Sequence, residues 1–132
     1  MTMKRRTYLK SLVAAGLAPA VAVAQTTGPR IELHVDLAVD PAREKQMLQD
    51  FRTQFRPAAQ KQAGFIDVKV MKLRTAIQGP APAGANYRFV ISFQTEEQRQ
   101  KWIASDIHQK VWPLIENTLT NKKYTVLLYD VS

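Results

Sequence analysis

Ile31-Glu32-Leu33-His34-Val35-Asp36-Leu37-Ala38-Val39-Asp40-Pro41 reads as a half-buried β-strand that runs straight into a helix. Ile31, Leu33, Val35, Leu37 and Val39 fall on one side of a pleated strand, and Glu32, His34, Asp36 and Ala38 on the other. Asp40 can then accept hydrogen bonds from the first free backbone N–H groups of a helix, and Pro41 at the first helical position loses no bond. Downstream, Met47, Leu48, Phe51, Phe55, Ala58, Ala59 and Gln62 recur at three- and four-residue steps, which predicts a helix over residues 41–62 with one apolar stripe. Pro57 inside that stripe has no N–H to donate, so a kink or break is expected there, and Ala63-Gly64 closes the element.

Further along, residues 65–77 are rich in Val, Ile and Met and predict a second strand, followed by the loop Gly79-Pro80-Ala81-Pro82-Ala83-Gly84. Residues 86–94 predict a third strand, with Tyr87, Phe89, Ile91 and Phe93 facing one way and Arg88, Val90 and Ser92 the other. Thr95 with Gln98 three residues later is a capping-box pattern that opens a second helix, ending near Ala104. Ser105-Asp106 can cap another helical segment carrying Ile107, Val111, Leu114, Ile115 and Leu119, with Pro113 permitting a bend. Residues 123–131, dense in Thr, Val, Leu and Tyr, predict a fourth strand. The order β-α-β-β-α-β implies an α+β fold, a ferredoxin-like plait with both helices on one face of an antiparallel sheet. Its other face would be bare, and two such faces are expected to pack together into a homodimer.

The first 24 residues follow a different logic. Lys4, Arg5, Arg6 and Lys10 form a basic head, Leu12 to Ala18 an apolar middle, and Ala22-Val23-Ala24 a cleavage site before Gln25, so residues 1–24 are expected to be a secretory signal peptide. The apolar run of residues 11–24 contains Pro19 and is shorter than the ~20 residues of a membrane span, so no membrane association is expected once the signal is removed. Arg5-Arg6-Thr7-Tyr8-Leu9-Lys10 resembles the twin-arginine export motif, which implies a folded passenger and a periplasmic or secreted location. Residues 25–30 read as a flexible lead-in and residues 31–132 as the single domain. Four of the 19 Lys and Arg residues belong to the signal and no acid does, so the remainder holds 15 against 11 Asp and Glu, a net charge of +4. No basic run extends beyond Lys122-Lys123, so nucleic-acid binding is not expected. With no cysteine, disulfide, thiol and iron-sulfur chemistry are excluded.

Chemistry concentrates in Trp102-Ile103-Ala104-Ser105-Asp106-Ile107-His108-Gln109-Lys110-Val111-Trp112-Pro113, which holds both tryptophans and one of the two histidines. His108 and Trp112 share a helix face at i and i+4, so an imidazole between large aromatic rings can line a pocket. The same pattern also suits ordinary core packing.

The chain resembles the antibiotic biosynthesis monooxygenase family of dimeric α/β barrels. The points of likeness are Asp40-Pro41-Ala42-Arg43-Glu44 after the first strand, Ala63-Gly64-Phe65, the strand Tyr87-Arg88-Phe89-Val90-Ile91-Ser92-Phe93 followed by Thr95-Glu96-Glu97, and the Trp102, Ser105, His108 spacing. The resemblance implies a cofactor-independent monooxygenase that deprotonates a small aromatic substrate, typically a phenol, and lets it react with dioxygen. Such a site needs a base, aromatic walls and a donor for the developing anion. His108 is the expected base and His34 the second candidate. Trp102, Trp112 and Tyr87 are the expected walls, and Arg88 or Asn86 the donor. In the heme-degrading branch a helix Trp is followed ten residues later by the iron-binding His, but here that position is Trp112, and the first strand has no Asn. The expectation is therefore no cofactor and no metal. The alternatives are a small-molecule or heme-binding dimer without turnover, and a dimer whose pocket is filled by its own side chains.

Overall fold

The computed structural model describes residues 29–132. The signal peptide expected over residues 1–24 and most of the lead-in lie outside the described residues. Four strands, β1 (Arg30–Leu37), β2 (Phe65–Lys72), β3 (Tyr87–Phe93) and β4 (Thr125–Val131), form one sheet in the order β2-β3-β1-β4 with every neighbouring pair antiparallel. The helical parts are α1 (Glu44–Asp50), α2 (Arg56–Gln60), α3 (Glu96–Ala104) and α4 (Asp106–Glu116). This is the ferredoxin-like α+β plait expected from the order of the elements. Among the described residues no helix is long and apolar enough to cross a membrane.

The alternation in β1 is realised as burial. Ile31, Leu33, Val35 and Leu37 are buried with Phe51, Phe55, Phe89, Trp102, Val111 and Ile115 in one core between sheet and helices. On the opposite side Glu32, His34 and Asp36 lie beside Ser92, Val90 and Arg88 of β3 and beside Tyr129, Leu127 and Thr125 of β4. That outer side is more polar than a row of Val, Tyr and Leu: Glu32 pairs with His34 and accepts from Ser92, and Arg88 pairs with Asp36. Exposed apolar side chains gather on β4 instead, where Val126, Leu127, Leu128 and Tyr129 are each between 42% and 49% exposed.

Several boundaries differ from expectation. β1 ends at Leu37, and Val39 makes an isolated bridge to Leu119 while Asp40 N–H donates to the Thr118 carbonyl. β2 stops at Lys72 rather than Ile77, because only Leu73 N–H still finds a partner in β3's leading residue Asn86 and the stretch beyond is exposed. The predicted helix over 41–62 begins as expected, with Asp40 accepting from Ala42 N–H, but is a 3-10 turn, α1, a π-turn (Phe51–Phe55) and α2. Pro57 explains the π-turn. It cannot donate to the Thr53 carbonyl and its ring would crowd that group, so the helix widens just before it and Arg56 N–H reaches back to Phe51. Ile107, expected on the apolar stripe of α4, is exposed, while Val111 and Ile115 are buried.

Gly64, between α2 and β2, packs against the start of α3. Its φ of +81° is one that L side chains avoid, its carbonyl accepts from Gln94 N–H, and a Cβ there would collide with the Gln98 side-chain amide. Gln98 is committed to the capping box with Thr95. Gly64→Ala should therefore cost about 1–3 kcal/mol through both backbone strain and a displaced cap. Urea unfolding reads this directly; an unchanged midpoint would contradict it, and adding Gln98→Ala should recover the part due to the clash.

Candidate functional site

The site is built at the junction of α3 and α4. Ser105 ends the first and caps the second: its N–H and its hydroxyl donate to the Trp102 carbonyl, and its Oγ accepts from His108 N–H. The sharp turn brings the His108 ring 4.9 Å from that of Trp102, nearly perpendicular at 87°. One turn later Trp112 lies almost parallel to the imidazole, 11° off at 6.4 Å. The two tryptophans therefore bracket the imidazole, one edge-on and one face-on.

Beneath them is a cavity of about 180 Å³. Leu33, Val35, Phe89 and Ile91 from the sheet form its floor, Phe55, Trp102, Ile103 and Trp112 its walls, and Tyr124 and Val126 its margin on the β4 side. Phe55 holds the walls in place, edge-on to Phe89 at 5.1 Å, to Trp102 at 5.7 Å and to Trp112 at 6.1 Å. Trp102 is fully buried and serves core and wall at once, whereas Trp112 is partly exposed.

Two titratable side chains line the hollow besides Tyr124: His108 and Arg99. Burial holds the His108 imidazole below its ordinary value of 6.5, so it is neutral at pH 7, and its Nδ1 is sealed without a hydrogen-bond partner. Arg99 is bound by Glu96 through two hydrogen bonds of 2.6 Å, which raise the guanidinium's affinity for its proton and lower that of the carboxylate. Tyr124 accepts from Trp112 Nε1 at 3.2 Å and donates to Glu116 at 2.7 Å, fixing the indole that stacks on His108. Among the described residues no three His, Cys, Asp or Glu side chains converge as a metal-binding group.

The remaining expected site residues lie elsewhere. His34 is on the outer side of the sheet, its Nε2 bonded to Glu32 at 2.8 Å and its ring edge-on to Tyr129 at 4.9 Å. Arg88, also outside, is bonded to Asp36 at 2.8 Å. Asn86 is fully used in clamping Val39, with Oδ1 accepting from the N–H and Nδ2 donating to the carbonyl. The Tyr87 hydroxyl donates to Glu44, which also pairs with Lys72; burial and that carboxylate push the phenol up to about 12. None of the four borders the His108 cavity. Tyr87 and Arg88 instead line a separate surface cleft of about 320 Å³ with Asp36, Lys72 and Arg74. The residues that do border it and escaped the sequence reading are Arg99, three positions before Trp102 and hence on its helix face, and Tyr124, which no local pattern singles out.

No known family profile matches this chain, and no curated protein sequence matches it. Solved structures do. A dimeric ferredoxin-like protein of unknown function from Jannaschia sp. CCS1 shares 13% identity with a TM-score of 0.66, covering 77% of this chain and 99% of that one. A Bordetella bronchiseptica protein provisionally assigned as an antibiotic biosynthesis monooxygenase shares 18% identity with a TM-score of 0.62, over 79% and 98%. SnoaB, a cofactor-independent oxygenase from Streptomyces nogalater, shares 11% identity with a TM-score of 0.61, over 78% and 93%. At such identities the likeness is one of fold: the plait is the one found in proteins of the antibiotic biosynthesis monooxygenase type.

Proposed function

We propose that this protein is an exported, homodimeric, cofactor-independent oxygenase acting on a small aromatic compound, with His108 as its base. The observation that carries the proposal is the open apolar hollow touching a neutral imidazole between two tryptophans. If the tryptophans served packing alone, they would fill that space. A hydroxyaromatic ring fits the aromatic walls, and the imidazole takes its phenolic proton. The electron-rich anion is then the species that meets dioxygen, in a hollow that Phe55, Phe89 and Trp112 keep apolar. A fold shared with SnoaB, itself a cofactor-independent oxygenase, supports the same reading. The heme alternative fits less well, since a hollow of about 180 Å³ takes one aromatic ring rather than a four-pyrrole macrocycle and the position ten after Trp102 is Trp112.

The dimer is supported by β4, an edge strand with four successive apolar residues exposed on both sides. A second copy laid on the outer face would cover Leu127 and Tyr129 and enclose the Glu32–His34 pair. His34 is then an interface residue. Export follows from the basic head, apolar middle and cleavage site of residues 1–24.

His108→Ala should abolish dioxygen consumption with single-ring phenols while leaving the circular dichroism spectrum unchanged; retained turnover, or an unfolded variant, contradicts the assignment. Because the buried imidazole titrates below 6.5, the unfolded chain binds the proton more readily. Stability is thus full above about pH 6.5 and declines as pH falls through that value, and this decline should shrink in His108→Ala. Light scattering of the purified protein should give twice the mass of one chain, and a single-chain mass would refute the dimer. Mass spectrometry of the secreted form should find Gln25 at its N-terminus, and an uncleaved chain would refute export by this signal.

A further inference from the structure

We propose that the ligand of the His108 cavity is a single-ring aromatic carboxylate, its ring held among the tryptophans and its carboxylate on the free edge of Arg99. This inference rests on the preceding reading of the cavity as the substrate site and narrows the substrate class.

The polar inventory of the cavity carries it. Arg99 is the sole permanently charged side chain among the residues that line the hollow. Tyr124 has its hydroxyl committed to Glu116 and to the Trp112 N–H, so neither group is free for a ligand. Glu96 occupies Nε and Nη2 of Arg99, which leaves Nη1 without a partner among the described residues. The carboxylate thus locks the guanidinium plane and leaves the other edge to donate. Its charge does not cancel the attraction, because Glu96 is the more solvated partner: its side chain is 34% exposed, that of Arg99 17%. Water screens the acid more than the base, which leaves a net attraction for an anion at the guanidinium.

Size and shape set the rest. A hollow of about 180 Å³ walled by Phe55, Trp102 and Trp112 admits one ring rather than several. A neutral polar ligand would leave the guanidinium edge less well satisfied than a carboxylate would, since hydrogen bonds between ionised partners are about twice as strong as neutral ones.

The chain contains two tryptophans, both at the cavity, so two indole N–H signals in a proton–nitrogen NMR spectrum report directly on occupancy. Titrating the full-length protein with benzoate and with its neutral isostere benzamide at pH 7 should move both signals. Benzoate should bind roughly tenfold more tightly, and Arg99→Gln should reduce that preference to near unity. Benzamide binding as well as or better than benzoate overturns the carboxylate inference while leaving an aromatic site intact. Indole signals unmoved by either compound overturn the aromatic site itself and this inference with it. Should Arg99→Gln fail to fold, the benzoate-to-benzamide ratio in the unaltered protein decides alone.

Discussion

Phe55 is the side chain on which the rest of the interior depends. Its ring meets Phe89 of the sheet and both tryptophans edge-on, so one residue of the helix layer touches the sheet and both walls of the hollow. Edge-to-face contacts of this kind add about 0.5–1.5 kcal/mol each beyond the area they bury, and they fix angles as well as distances. Phe55 sits at the last position of the π-turn, which exists because Pro57 cannot complete an α-helical ladder. The widened turn before Pro57 thus carries the ring around which the aromatic walls of the hollow gather.

The sheet has two unlike sides. The inner one is uniformly apolar along β1 and β3, while the outer one carries paired polar groups: Glu32 with His34 and Ser92, and Asp36 with Arg88. These pairs neutralise one another along β1 and β3, so enclosing that part of the outer side costs less than burying separate charges. The hydrogen bond from His34 holds the Glu32 carboxyl below its usual range, as a paired carboxylate should be. The asymmetry separates structural from chemical roles, since His34 faces a polar partner and His108 an open space.

The fold was legible in the sequence because period-two and period-3.6 patterns in β1, β3 and the α1–α2 region report burial directly. The helix starts at Asp40 and Thr95 were equally legible, each being a short-range hydrogen bond between residues two or three apart. Strand ends were less so: the expected strand ran on to Ile77, but beyond Leu73 it runs out of partners, a fact set by where β3 begins. The same divide applies to the site. His108, Trp102 and Trp112 lie within eleven residues on consecutive helices, so spacing placed them together. Arg88 and Asn86 looked equally suitable by type, but alternation along β3 turns Arg88 outward and Asn86 closes the end of β1. Tyr124 reaches Trp112 across the turn before β4, a contact that no local periodicity encodes.

Val126 and Leu127 are consecutive along β4 yet stand on opposite sides of it, one at the margin of the hollow and one on the face assigned to the second copy. A strand cannot shift under one of them without carrying the other. Were a second copy to cover Leu127, association and occupancy of the hollow would be linked through this strand, and whatever one did to the other would be returned by the same free energy.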